Sequence, residues 1–207
     1  RAEFQIPEDV PVVACVTRLQ PDNSLAAELL LASAAALAEQ NQGLRILLVG
    51  DGERLEAFKQ QAAAINQKLG YPCVVMTGGR TDVARLVAAC DVFVGVSRAA
   101  LEAMSAGKPT VLCGNAGYGG IAREEAAAAN LASNYCCRGN RMGTAVELTA
   151  DIQTLLTMPK EQRIAIGMED RGIVERDFSL NAMVRNCETV YQLALQPKRR
   201  VVVSGYS

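Results

Sequence analysis

DVFVGVSRAALEAMSAGKPTVLCGN, residues 91–115, decides how this chain is read, because strand, turn, helix and strand follow one another within it. Val92, Phe93, Val94 and Val96 form an apolar run rich in β-branched residues, as expected of a strand buried on both faces. Gly95 loosens the backbone, and Ser97 is expected to cap the helix that follows. The first N–H groups of that helix point back over the carboxyl end of the strand, where an anion is favoured. Ala100, Leu101 and Met104 are expected to face the sheet. Gly107 suits the helix stop, and Pro109 restarts the chain as the strand Thr110–Cys113.

Glu102 is the odd residue of the stretch. A carboxylate on so short and apolar a helix either faces solvent or binds something. Its place in the second turn of a helix whose start is an anion site would let it accept two ribose hydroxyls while the helix end holds phosphates. That pairing suggests a nucleotide.

Outward from this stretch the chain alternates. PVVACVT at 11–17 is a strand with Arg18 at its carboxyl end, and Pro21 to Ser24 lead into a long leucine- and alanine-rich helix ending near Gln40. Leu44–Val49 is a strand closed by Gly50-Asp51-Gly52, followed by a helix from about Glu53 to Leu69. Pro72–Met76 is a strand closed by Thr77 to Arg80, and a short helix through Ala89 delivers the chain to residue 91. This order predicts an α/β fold: a doubly wound, Rossmann-like parallel sheet of about six strands with helices on both faces. Its ligand crevice should lie outside the carboxyl ends of the strands. Arg18, Gly50–Gly52, Gly78–Arg80, Gly95–Arg98 and Gly114–Gly120 all fall at that edge. Past Gly120 we expect a helix over 122–131, a sixth strand over 134–138, and helices over 144–158, 160–176 and 179–195. Lys198-Arg199-Arg200 breaks the pattern and Val201–Val203 reads as a fresh strand. The expected division is therefore one nucleotide-binding, Rossmann-like domain over 1–197 and a tail over 198–207.

Half of the 207 residues are hydrophobic, Trp and His are absent, and the formal charge is −1, which argues for neither a nucleic-acid partner nor an anionic membrane surface. No apolar run approaches the roughly 18–20 residues that cross a bilayer, and RAEFQIPEDV lacks a signal-peptide pattern, so a cytoplasmic protein is expected. Seven cysteines without paired C-x-x-C spacing or any His read as reduced core thiols rather than a metal site, with vicinal Cys136 and Cys137 the curious pair.

Arg18-Leu19, LLVGDGER at 47–54, the Asp91 to Val94 block, LEAMSAGKPTV at 101–111 and FSLNAMVRNCETVY at 178–191 together resemble the carboxyl-terminal, donor-binding domain of retaining GT-B glycosyltransferases of the group 1, family 4 type. The resemblance implies that Glu102 binds the ribose of a nucleotide-sugar, most often a UDP-sugar, and that Arg18 binds its diphosphate. It also implies that the turn Gly78-Gly79-Arg80 lies over the base, where Arg80 either stacks on the base or faces solvent. Arg98 either reaches the phosphates or lies on the surface beside the crevice, and the AGYGG turn at 116–120 either lets backbone approach the sugar or is a loop. The donor-binding set is accordingly Arg18, Gly52, Gly78, Arg80, Ser97, Arg98, Ala99, Glu102 and Gly119, with no catalytic residue, metal or cofactor expected in this chain.

Two positions depart from the family pattern: Asn23 stands where a lysine is usual, and Val94 where a first glutamate is usual. With GVSRAALEAM, GNAGYGGI and NYCCRG they resemble a narrower branch from anaerobic Gram-positive bacteria. The tail RRVVVSGYS is similar to the opening of polysaccharide pyruvyl transferases. The expected function is the donor-binding half of a glycosyltransferase of cell-wall or surface polysaccharide synthesis. It would be inactive without an amino-terminal acceptor domain, and it could work at the inner face of the membrane. The alternatives are a nucleotide-sugar epimerase-like domain and a degenerate, non-catalytic module attached to a pyruvyl transferase.

Overall fold

The computed structural model describes residues 1–195; the expected tail strand and the boundary after residue 197 lie outside the described residues. Strands β1 (Val12–Val16), β2 (Arg45–Val49), β3 (Val74–Gly78), β4 (Val92–Gly95) and β5 (Thr110–Gly114) alternate with helices α1 (Leu25–Gln40), α2 (Leu55–Leu69), α3 (Val83–Ala88) and α4 (Ser97–Ser105). Then come β6 (Gly117–Ile121), α5 (Ala127–Ala132), α6 (Ala145–Thr157), α7 (Lys160–Asp177) and α8 (Leu180–Leu195). They build a six-stranded sheet in the order β3-β2-β1-β4-β5-β6. The pairings from β3 to β5 are parallel, and β6 alone runs antiparallel.

Alternate residues of each central strand serve opposite faces. Val13, Cys15, Ile46, Leu48, Val94 and Val111 pack under α1, α2 and α6. Val12, Ala14, Leu47, Val49 and Phe93 pack against Leu86 and Val87 of α3 and Ala103 of α4. Burial on both sides is what made these strands continuous apolar runs. At the far edge, Ala100, Met104 and Leu112 join Ala122, Tyr135, Cys137 and Ile173 of α7 in a separate cluster.

Three local expectations need correction. The sixth strand is not 134–138, which folds as turns, but Gly117–Ile121, the segment expected to be an open glycine turn. Glycine there allows the tight packing: a Cβ at Gly119 would stand 2.8 Å from the Cys137 sulfur and 2.9 Å from Leu112 Cβ. On α4 the inward stripe is Ala100, Ala103 and Met104, with Leu101 only partly buried, because positions three and four apart share a helix face. Ser97 does not cap α4 but is its first residue. Val96 is the N-cap, extended, with no side-chain bond to the helix. Gly107 (φ 68°) ends the helix as expected, and α7 crosses it closely enough that a Cβ on Gly167 would fall 2.0 Å from the Gly107 carbonyl oxygen.

Among the described residues, no helix is long and apolar enough to cross a membrane.

Candidate functional site

The strand order reverses direction between β1 and β4. The chain leaves β1 toward α1 on one face of the sheet and leaves β4 toward α4 on the other, so a crevice opens between their carboxyl ends. Arg18 stands two residues past β1, and Val96 alone connects β4 to α4. So short a strand-to-helix junction forces an unusual backbone, and Ser97 takes φ 54°, a left-handed conformation that a non-glycine residue adopts only under constraint. Two contacts hold it there. The Ser97 N–H donates to the Tyr135 carbonyl at 2.8 Å. Val96 fills the space over Gly114, where a Cβ would meet Val96 Cγ2 at 2.5 Å. The N–H groups of Arg98 and Ala99 have no backbone acceptor among the described residues, so the helix end still presents donors to the crevice.

Two cavities meet at this point. The larger, about 520 Å³, is lined by Arg18, Val49, Gly50, Asp51, Gly79, Arg80, Val83, Ser97, Arg98, Ala99 and Glu102. The smaller, about 320 Å³, runs toward the β5–β6 turn and is lined by Arg18, Asp22, Asn23, Ala26, Gly95, Ser97, Cys113, Gly114, Asn115 and Cys136. Val16, Thr17, Arg18, Val96 and Ser97 belong to both. Of the residues singled out from the sequence, Arg18, Arg80, Ser97, Arg98, Ala99 and Glu102 are thus brought together. Gly52, Gly78 and Gly119 are not in either lining. Gly52 lets the loop press against Leu19, whose carbonyl oxygen would be 2.5 Å from a Cβ, and Gly119 is packed inside β6. The Gly78 carbonyl accepts from the Gly50 N–H at 3.0 Å, tying two strand ends together.

The charges in the crevice differ in how they are held. Arg80 is fastened by Nε and Nη2 to Asp82 at 2.8 and 2.9 Å and by Nη1 to Glu3 at 2.8 Å, with Phe4 across its guanidinium at 5.8 Å. These carboxylates hold the Arg80 pKa above its ordinary value, and Arg80 in turn holds Asp82 below the usual carboxylate range. Arg18 makes one long side-chain contact, Nη2 to Asn23 Oδ1 at 3.5 Å. The side chains of Arg98 and Glu102 are exposed and make no salt bridge among the described residues. Burial pushes the Cys113 thiol up to about 12, so the sulfur lining the smaller cavity stays protonated at neutral pH. Val94, at the position where a glutamate is usual, is fully buried in β4 between Cys15 and Val111 and faces neither cavity.

Sequence reading missed the polar wall of the smaller cavity formed by Asp22 and Asn115. The signal was present in the Gly-Asn-Ala-Gly string at 114–117, which suits a tight hairpin turn, but the partner strand was not foreseen.

The family profile of glycosyl transferases group 1 matches residues 10–152. The chain belongs to the group 1 glycosyl transferases. No curated protein matches it. A glycosyltransferase from Rickettsia africae superposes with a TM-score of 0.65 at 20% identity, covering 94% of this chain and 50% of that one. Anabaena Alr3699/HepE, solved in complex with UDP and glucose, superposes with a TM-score of 0.66 at 22% identity and covers 94% and 50%. The C-terminal domain of the Francisella tularensis group 1 family protein LpcC gives 0.63 at 12% identity and covers 86% and 91%. This group 1 domain therefore spans about half the length of the first two relatives and nearly all of the third, with the fold of a GT-B carboxyl-terminal half.

Proposed function

We propose that this group 1 domain binds the nucleotide-sugar donor of a retaining glycosyltransferase. The observation that carries the reading is the meeting of two cavities at the start of α4, with Glu102 in the larger one and Arg18 shared by both. The nucleoside lies in the larger cavity, where the Glu102 carboxylate accepts the ribose hydroxyls and the turn before Arg80 lies against the base. The diphosphate crosses the junction, facing Ser97, the N–H groups of Arg98 and Ala99, and the guanidinium groups of Arg18 and Arg98. The sugar enters the smaller cavity. As the bond from sugar to phosphate breaks, negative charge grows on the departing diphosphate. Fixed donors at that point stabilise it more than they stabilise the bound donor. The UDP and glucose of the Anabaena relative support a donor of this class.

Acceptor binding and proton transfer belong, on this reading, to a second domain, so the 207-residue chain binds donor without transferring sugar. The biological setting we infer is synthesis of a bacterial cell-wall or surface polysaccharide from cytoplasmic nucleotide-sugars. Asn23 and Val94, where the family usually has charge, favour a second reading in which the site is degenerate.

Titration of the chain with UDP, GDP and ADP by calorimetry tests both. One nucleotide should bind, and Glu102→Ala should weaken it at least tenfold, about 1.4 kcal/mol. Absence of binding by all three at millimolar concentration would leave the degenerate module. Sugar transfer by this chain alone would sink the half-enzyme reading.

A further inference from the structure

Helix α1 begins without help from its own cap. Ser24 is the N-cap residue and makes no side-chain bond to the helix backbone. Its hydroxyl donates to Glu28 at 2.9 Å and accepts from Arg54 Nη1 at 2.7 Å. The open N–H of Leu25 is satisfied from across the crevice, by Asn115 Oδ1 at 3.0 Å. The Nδ2 of the same amide approaches the Pro21 carbonyl at 3.4 Å. Asn115 therefore holds both ends of the segment from Pro21 to Leu25, ninety residues away in sequence. It can do so because β5 and β6 form a hairpin, with Gly114 opposite Gly117, whose two-residue turn carries Asn115 at its tip.

The other contacts of this segment lead to Arg18. Thr17 Oγ1 donates to the Asn23 carbonyl at 2.7 Å. Asn23 Nδ2 donates to Asp22 Oδ1 at 2.6 Å, which turns Asn23 Oδ1 toward Arg18 Nη2. Arg18, Asp22, Asn23 and Asn115 all line the smaller cavity. The polar wall thus runs from the hairpin tip through the loop before α1 to the guanidinium.

We propose that Asn115 is a positioning residue for donor binding: by capping α1 from the hairpin tip it fixes the Arg18–Asn23 loop, and so holds Arg18 where the donor's diphosphate passes. This rests on the donor-binding reading above. Because Asn115 acts through Arg18, its loss affects the diphosphate and leaves the nucleoside contacts at Glu102 alone.

The test is a double-mutant cycle on the 207-residue chain, with Arg18→Ala, Asn115→Ala and both together. Each is titrated with UDP and uridine, or with GDP and guanosine or ADP and adenosine, whichever diphosphate the unaltered chain binds most tightly. Asn115→Ala should weaken the diphosphate about fivefold, the worth of one hydrogen bond, while nucleoside affinity stays within about twofold. In the Arg18→Ala background the same change should have almost no further effect. If Asn115→Ala does not fold, Asn115→Gly, which suits the hairpin turn, replaces it. Unchanged diphosphate affinity, equal weakening of diphosphate and nucleoside, or effects that simply add would overturn the proposal while the donor reading stands. Failure of the unaltered chain to bind any diphosphate would overturn the donor reading and this proposal with it.

Discussion

Asp91, one residue before β4, and Glu102, in the second turn of α4, are carboxylates at opposite ends of the same strand–helix unit, and the chain treats them differently. Asp91 Oδ2 accepts from the Val12 N–H at 2.9 Å and from Arg1 at 3.0 Å, and Oδ1 lies 3.5 Å from Arg163. Nearby, Lys108 donates to the carbonyls of Ala88 and Cys90, both at 2.8 Å. A second carboxylate at this amino edge, Asp170 of α7, is fully buried and accepts from the Thr110 N–H at 3.3 Å. Parallel strands begin with N–H groups that lack a neighbour, and here acidic side chains from elsewhere in the chain supply acceptors. At the carboxyl edge, Glu102, Arg98 and Arg18 are exposed beside a cavity with hardly a partner among them, whereas Arg80 is tied down. The charges of Asp91 and Arg80 are paired within the chain, and the buried Asp170 completes the fold as an acceptor with its second oxygen unpartnered among the described residues; charge left open beside a cavity is available to a ligand.

Four measurements would break or sharpen this contrast. The largest effect is expected in the pH dependence of stability. Burial pushes the Asp170 carboxyl up to about 8, above its unfolded value near 3.8. The folded chain therefore binds one more proton than the unfolded chain between those values. The contribution is fully present below about pH 4 and is lost as pH rises through about 8, with a slope approaching about 1.4 kcal/mol per pH unit. Urea unfolding at pH 5 and pH 8 should show the slope, and Asp170→Asn should flatten it; an unchanged slope would mean that another group titrates.

Next comes Gly50→Ala, since a Cβ there would stand 1.8 Å from the Thr17 carbonyl oxygen. We expect a loss of about 3 kcal/mol in denaturant melts, because backbone rather than a flexible side chain must yield. A smaller loss, about 2 kcal/mol, is expected of Asp91→Ala, which strips the Val12 N–H and the flanking arginines of their acceptor. Its nucleotide affinity should be unchanged, and a fall would show that the two edges are coupled. The smallest effect on stability belongs to Glu102→Gln and Arg98→Ala, each within about 0.5 kcal/mol of the unaltered chain. Thermal melts showing a larger loss would mean that these residues serve the fold after all.

Much of the site was legible because a parallel sheet sends all of its strands out at one edge, so residues just past each apolar run had to gather there. Arg18 and Ser97 were singled out that way and Glu102 as the odd carboxylate of a short apolar helix, and all three line the larger cavity. Ser97 was given the wrong backbone, because a cap pattern says nothing about the single-residue junction that forces φ 54°. The segment 117–121 was misread for a related reason, and the sixth strand was placed at 134–138 instead. A glycine-rich segment reads as a loop unless a partner strand is known, and β6 takes its partner from β5 through a turn of only two residues.

The local periodicities of this sequence determined its alternating strands and helices, its two-faced burial and the edge at which a ligand would be bound, since each depends on neighbours within a few residues. Only the tertiary structure decided that β1 lies beside β4, that β6 turns back antiparallel, and that Asn115 reaches the start of α1. The first and the last of these join residues about eighty and ninety positions apart, and the hairpin needs a partner strand that a glycine-rich segment does not announce; all three are settled by which faces pack and which backbone groups would otherwise be left without a partner.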